Sequence, residues 1–256
     1  MDCCSPSDAA LDHQFDAKRA ADDLREYRRH GPAGTTLALI AGLADGGVAG
    51  RTILEIGGGV GAVHHELLRE GAASAVDVDA SRAYLAIARA EAERQGHADR
   101  VDYVAGDFVA IAERVQPADL VALDRVICCY GDMVTLVGRS ASLARRRYGL
   151  VYPRDGLLSR AAVGLLNLWQ WITRNPYRGF VHDSHAVDAL VARHGLVRVR
   201  HSTTLLWQVA IYERIVVAGR SIVNVRLTPA AYNHGLAIAL PEAVMARPEG
   251  LEPPTL

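Results

Sequence analysis

Residues 53–71 read ILEIGGGVGAVHHELLREG, an apolar run that ends in a glycine cluster and passes at once into a helix-like stretch closed by Gly71. A strand delivered into Gly57, Gly59 and Gly61 and then into a helix is the context of a dinucleotide- or nucleoside-binding loop. Glycine permits the tight turn and lets a ligand approach the backbone with no Cβ in the way. The flanking sequence agrees. Ala75–Asp79, Val101–Ala105, Leu120–Leu123 and Leu150–Tyr152 are further β-like runs, each followed by a segment with helical potential. Ser81 is placed to cap a helix that runs to Gln95-Gly96. This alternation predicts an α/β fold, with a Rossmann-like, mostly parallel sheet and helices on both faces. The end of the pattern is different. A helix over Ser184–His194 closes at Gly195, and Leu196–Thr203 and Leu205–Ile215 then follow with almost nothing between them. So short a link suits an antiparallel hairpin rather than a crossover.

A chain of 256 residues that is half apolar holds one such domain with additions. Residues 1–43 are predicted as an N-terminal helical lid segment, with Leu11, Phe15, Ala20, Leu24 and Tyr27 at rough helical spacing. Residues 44–217 form the ligand-binding domain. Over 218–256 the pattern dissolves at Pro229, Pro241, Pro248, Pro253 and Pro254, which reads as an irregular tail. Lys plus Arg number 28 against 29 Asp plus Glu, a formal charge of -1, which argues against a strongly basic nucleic-acid binder. Lys18 is the only lysine. The first residues lack the basic-then-apolar run of a signal peptide, and Ala161–Thr173 is too short and too polar to span a bilayer. The expectation is a cytoplasmic protein with no stable membrane insertion. The cysteines come as two adjacent pairs, Cys3-Cys4 and Cys128-Cys129, a spacing poorly suited to structural zinc.

The glycines alone leave the ligand open, because Gly57, Gly59 and Ala62 also satisfy the looser fingerprint of nicotinamide and flavin enzymes. Glu55 shifts the balance. A carboxylate two residues before the first glycine repels a pyrophosphate and attracts a ligand bearing an ammonium and a sulfonium. S-adenosylmethionine carries both and has no phosphate. Asp79, at the end of the second run, is placed to accept from both ribose hydroxyls, with Asp77 as the second candidate. Asp107 follows the third run and is placed for the adenine amino group, with Phe108 packing on the ring.

With these residues in order, positions 51–127 resemble the class I S-adenosylmethionine-dependent methyltransferases. The loop is EIGGGVG, the acid after the second strand lies in VDVDAS, and the third-strand aspartate lies in AGDF. The resemblance extends more weakly through the hairpin at 196–215. It implies a seven-stranded sheet, S-adenosylmethionine as cofactor and methyl transfer as the activity. The N-terminal segment and LDRVICCY look most like small-molecule methyltransferases near the magnesium-protoporphyrin type. A nicotinamide-dependent oxidoreductase and a non-catalytic binding protein on the same fold are the alternatives.

The fourth run, ADLVALDRVICCY, should deliver Asp124 and Arg125 to the carboxyl end of its strand, where acceptors bind in open α/β sheets. LDRV does not match the Asn/Asp-Pro-Pro-aromatic motif of nucleobase amino-methyltransferases, so the expected partner is a small molecule, methylated on oxygen. Asp124, Tyr130 and His182 are the candidate bases. Trp169, Trp171, Tyr177 and Phe180 read either as a wall for a flat acceptor or as ordinary packing. His182, Asp183 and His185 lack a third clear ligand, and His64 and His65 are expected to point in different directions, so no metal is expected. Arg145-Arg146-Arg147 reads as a solvated helix end.

Overall fold

The computed structural model describes residues 15–215. The predicted tail at 218–256, Leu11 and the Cys3-Cys4 pair lie outside the described residues. The described residues begin with two helices, Ala17–His30 (α1) and Gly34–Ala44 (α2), divided at Gly31-Pro32. Asp16 caps α1 by accepting from the Arg19 N–H at 2.8 Å. Strand and helix then alternate: Thr52–Ile56 (β1), Ala62–Arg69 (α3), Ser74–Asp79 (β2), Arg82–Gln95 (α4) and Val101–Ala105 (β3). Phe108–Ile111 (α5), Ala118–Asp124 (β4), Met133–Ser142 (α6), Ala144–Pro153 (β5), Leu157–Ile172 (α7) and Ser184–Ala192 (α8) follow. Leu196–Thr203 (β6) and Trp207–Arg214 (β7) close the order. Ser81 and Gly96 cap α4 as the sequence predicts, Gly96 in the left-handed region.

The seven strands form one sheet in the order β3-β2-β1-β4-β5-β7-β6. The first five run parallel, and β7 is antiparallel to both β5 and β6. Alternate residues of each central strand face opposite layers. Leu54, Ile56, Leu123 and Tyr148 pack towards α5, α6 and α8, while Ile53, Leu120, Ala122 and Ile211 pack towards α2, α3 and α4.

Gly149 on β5 lets α2 approach the sheet. A Cβ there would lie 2.4 Å from Leu39 Cδ1 and 3.1 Å from Leu43 Cδ2, both fully buried. Gly149→Val is therefore expected to destabilise the fold by about 1–3 kcal/mol through overpacking. Denaturant unfolding checks this, and an unchanged midpoint would contradict so close a packing.

The arginine run corrects the sequence reading. Arg145–Arg147 open β5 instead of ending a helix. The register between β4 and β5 shifts by one residue here, Ala118 pairing with Ala144 but Leu120 with Arg147. That bulge turns Arg147 inward. Its guanidinium donates to the Gly42 carbonyl at 2.8 Å and pairs with Glu213 on β7 at 3.2 Å. A polar opening to a strand has no helical period, so the run looked like surface.

Candidate active site

The carboxyl ends of β1 to β4 open into a cavity of about 660 Å3. Gly57, Gly59 and Gly61 all take positive φ values, and the Gly57 N–H donates to the Val78 carbonyl at 2.7 Å, which folds the loop over β2. Asp79 lines the cavity and ties the loop down, its carboxylate accepting from the Gly59 N–H at 3.1 Å and the Ser81 N–H at 2.8 Å. Asp107 lines it too. One of its oxygens caps α5 through the Val109 N–H, and the other accepts from the Tyr130 hydroxyl at 2.9 Å. Phe108 adds a buried aromatic edge to the same wall. Asp77, the second candidate for the ribose, is fully buried beneath Gly58 and is absent from the cavity wall.

Glu55 reaches the cavity floor but is only 1% exposed. It accepts from the His64 backbone N–H at 3.0 Å and meets the His64 ring Nδ1 at 2.6 Å, so it anchors α3 to β1. His64 and His65 do not diverge as the helix spacing suggested. Both turn inward beneath Gly61 with ring centroids 4.3 Å apart, and His65 Nδ1 lies 2.8 Å from His97 Nε2. Each ring finds a different buried partner, which is how adjacent positions can share one side of the helix. Among the described residues no cluster of histidine, cysteine and acids is arranged to hold a metal ion.

Burial raises the Glu55 carboxyl to about 8 and lowers His64 to about 3 and His65 to about 2. Above about pH 7.5 these histidines are almost wholly neutral in both folded and unfolded chains and add little slope to stability. A carboxyl whose folded pKa is raised binds its proton more tightly in the native state, so stability falls as pH rises from its unfolded value towards its folded one. The denaturant midpoint is expected to decline from about pH 7.5 as pH rises through about 8. Glu55→Gln should shallow that decline. A midpoint equally pH-dependent in the variant would place the proton elsewhere.

On the acceptor side, the Thr36 hydroxyl donates to one oxygen of Asp124 at 2.5 Å. The other oxygen, Oδ1, is buried without a hydrogen-bond partner, with Arg125 Nε 3.7 Å away. Burial raises the Asp124 carboxyl despite the neighbouring guanidinium and hydroxyl. Arg125 holds a left-handed φ of 60°, costly for a side chain with a Cβ, and is secured by its bond to Thr35 at 2.8 Å and by stacking over Trp207. Tyr130 shares the wall, 6% exposed and committed to Asp107. His182 is not on that wall. Its Nε2 lies 2.7 Å from the Ile127 carbonyl, its ring stacks with Phe180, and burial keeps it neutral.

Further residues complete the wall. Cys128 and Cys129 face the cavity, and Cys129 Sγ lies 3.1 Å from the Tyr177 hydroxyl. Phe15, Arg19 and Asp23 close it from the start of the chain. They are held there by a bond from Ser81 Oγ to the Phe15 carbonyl at 2.8 Å, by the Tyr84–Asp23 bond, and by the Arg28–Glu91 ion pair at 2.8 Å. Trp169 and Trp171, by contrast, form neither wall nor core, being 62% and 69% exposed.

A glycine loop over a parallel sheet, an acid after each of β2 and β3, and a terminal antiparallel strand pair define a class. Residues 53–145 match the family described as a methyltransferase domain. Solved structures of similar fold include magnesium protoporphyrin IX methyltransferase from Synechocystis with S-adenosylhomocysteine bound. That pair has a TM-score of 0.58 and 20% identity, over 77% of this chain and 96% of that one. An O-methyltransferase family 2 protein from Planctomyces limnophilus, in complex with apigenin, gives 0.59 and 20% over 78% of this chain and 62% of that one. A Pyrococcus horikoshii protein proposed to be an RNA methyltransferase gives 0.50 and 12%, over 74% and 86%. Comparison with curated proteins found no match.

Proposed function

We propose that this chain transfers the methyl group of S-adenosylmethionine to an oxygen of a small molecule seated beside Asp124. The observation that carries the reading is the buried Oδ1 of Asp124, a residue of the cavity wall, which has no hydrogen-bond partner while its twin oxygen is fixed by Thr36. A carboxylate held in this way can accept one proton from an acceptor hydroxyl, and its raised proton affinity strengthens it as a base.

The residues fit the cofactor. Gly57 and Gly59 offer a backbone cradle on the cavity wall, which Gly61 itself does not line, and Asp79, Asp107 and Phe108 offer carboxylates and an aromatic edge suited to a ribose and an adenine. The cavity volume lies in the usual range for a small-molecule site. When bound, S-adenosylmethionine would supply an electrophilic methyl on a sulfonium, with the neutral thioether as the leaving group. The protein's contribution is alignment, proton acceptance at Asp124 and exclusion of water by α1, which lies within the predicted lid over 1–43. The near-zero net charge supports a small acceptor over a nucleic acid.

The test offers methyl-labelled S-adenosylmethionine with a panel of phenols, alcohols, carboxylates and amines, and with RNA. Label on hydroxyl-bearing small molecules supports the reading. Label on RNA or on amines alone overturns it, as does absence of transfer to any hydroxyl by protein that binds S-adenosylhomocysteine in calorimetry.

A further inference from the structure

The helix α7 is built inside out. Its buried residues are Ser159 and Gln170, and its inner contacts continue through Asn167, which exchanges hydrogen bonds with Gly179 at 2.7 and 2.8 Å. The outward surface carries Leu157, Leu158, Leu165, Leu168, Trp169, Trp171 and Ile172, each at least half exposed. Leu205, 73% exposed, extends the patch from the β6–β7 turn, which α7 touches through the bond from Ser159 Oγ to the Leu206 carbonyl at 3.2 Å. So many exposed leucines and tryptophans on one helix mark a contact with something apolar.

The charge around it indicates what. From 154 to 178 the sequence holds four arginines, at 154, 160, 174 and 178, and one acid, Asp155, a local charge of +3. No charged residue interrupts 161–173. Leucine and tryptophan on the exposed surface with arginines at both ends is the pattern of a helix lying in the plane of a lipid interface. A second copy fits less well, because a two-fold contact would set one cationic rim against the other.

We propose that α7 is a docking surface for an anionic lipid bilayer, with its leucines and tryptophans at the acyl boundary and the flanking arginines among the headgroups. Docking here does not require a membrane-spanning segment, and no described helix is long and apolar enough to be one. It also sets the catalytic cavity beside the bilayer, since Leu166 of the same helix lines that cavity.

The experiment uses the full chain with vesicles of phosphatidylcholine alone and of phosphatidylcholine with phosphatidylglycerol, followed by flotation and tryptophan emission. Binding to the anionic vesicles with a blue shift is expected. Leu165→Glu with Trp169→Glu should abolish it while S-adenosylhomocysteine affinity stays unchanged. Arg160→Gln with Arg174→Gln should weaken it about 30-fold, roughly fivefold per arginine. No binding to anionic vesicles overturns the proposal, and equal binding to both vesicle types overturns the role of the arginines. A dimer in sedimentation velocity that the Leu165→Glu, Trp169→Glu variant dissolves would assign the face to a second copy instead.

Discussion

Asp124→Asn is expected to lower kcat by about 10²–10⁴-fold while leaving the affinity for S-adenosylhomocysteine within a fewfold of the parent. The amide keeps the shape of the carboxylate and can still accept from Thr36, so the wall around it should stand. What it loses is the carboxylate oxygen that accepts a proton. The pH profile adds a second readout. A base must be ionised to act, so kcat of the parent should fall as pH drops through the Asp124 pKa. Burial places that limb above the usual carboxylate range. In Asp124→Asn the limb should vanish. An unchanged kcat would remove Asp124 as the base and point to an acceptor that is already ionised, such as a carboxylate.

The second large effect is expected at Gly61. Its φ of +79° is strained for any residue with a Cβ, at about 1–2 kcal/mol. The added carbon would also lie 2.4 Å from His64 Cε1 and 2.8 Å from His65 Nε2. Neither ring has room to retreat, because His64 is held by Glu55 and His65 by His97, and both are fully buried. Gly61→Ala should therefore destabilise the fold by about 2–5 kcal/mol, adding overpacking to strain, and should weaken cofactor binding as the loop shifts. Gly96→Ala supplies the comparison. Its φ is +76° with nothing within 4 Å, so it should show the backbone cost alone. Equal losses of denaturant midpoint in the two variants would mean that the histidine contact is without consequence.

The parts of this molecule that were legible in the sequence are those fixed by local rules. A glycine loop between strand and helix, Ser81 and Gly96 at the two ends of α4, and the unlinked pair of β-runs at the end each have one physical solution. Asp79 and Asp107 could be placed at the cavity because strand ends in a parallel sheet share one edge. Contacts that depend on distant packing were not legible. Thr36 and Asp124 are 88 residues apart, and nothing near either position announces the other. His65 and His97 meet because α3 and the turn after α4 happen to abut. The tryptophans of α7 were read as wall or core because exposure is a property of the assembled surface, and apolar content alone does not reveal which side is outward.

The buried arginine on β5 bears on how the molecule reaches its fold as well as on how it stays there. Strands β5 and β7 pair across a long stretch of intervening chain, and Arg147 stands directly opposite Glu213 in their register. Apolar neighbours such as Leu150, Val151, Val209 and Ala210 could tolerate several alignments. A guanidinium that is 7% exposed cannot. A displaced alignment strands the charge without its carboxylate, and leaving a buried ion unpaired costs about 3–5 kcal/mol. The pair thus acts as a proofreading device that penalises the misaligned sheets greasy strands alone would accept.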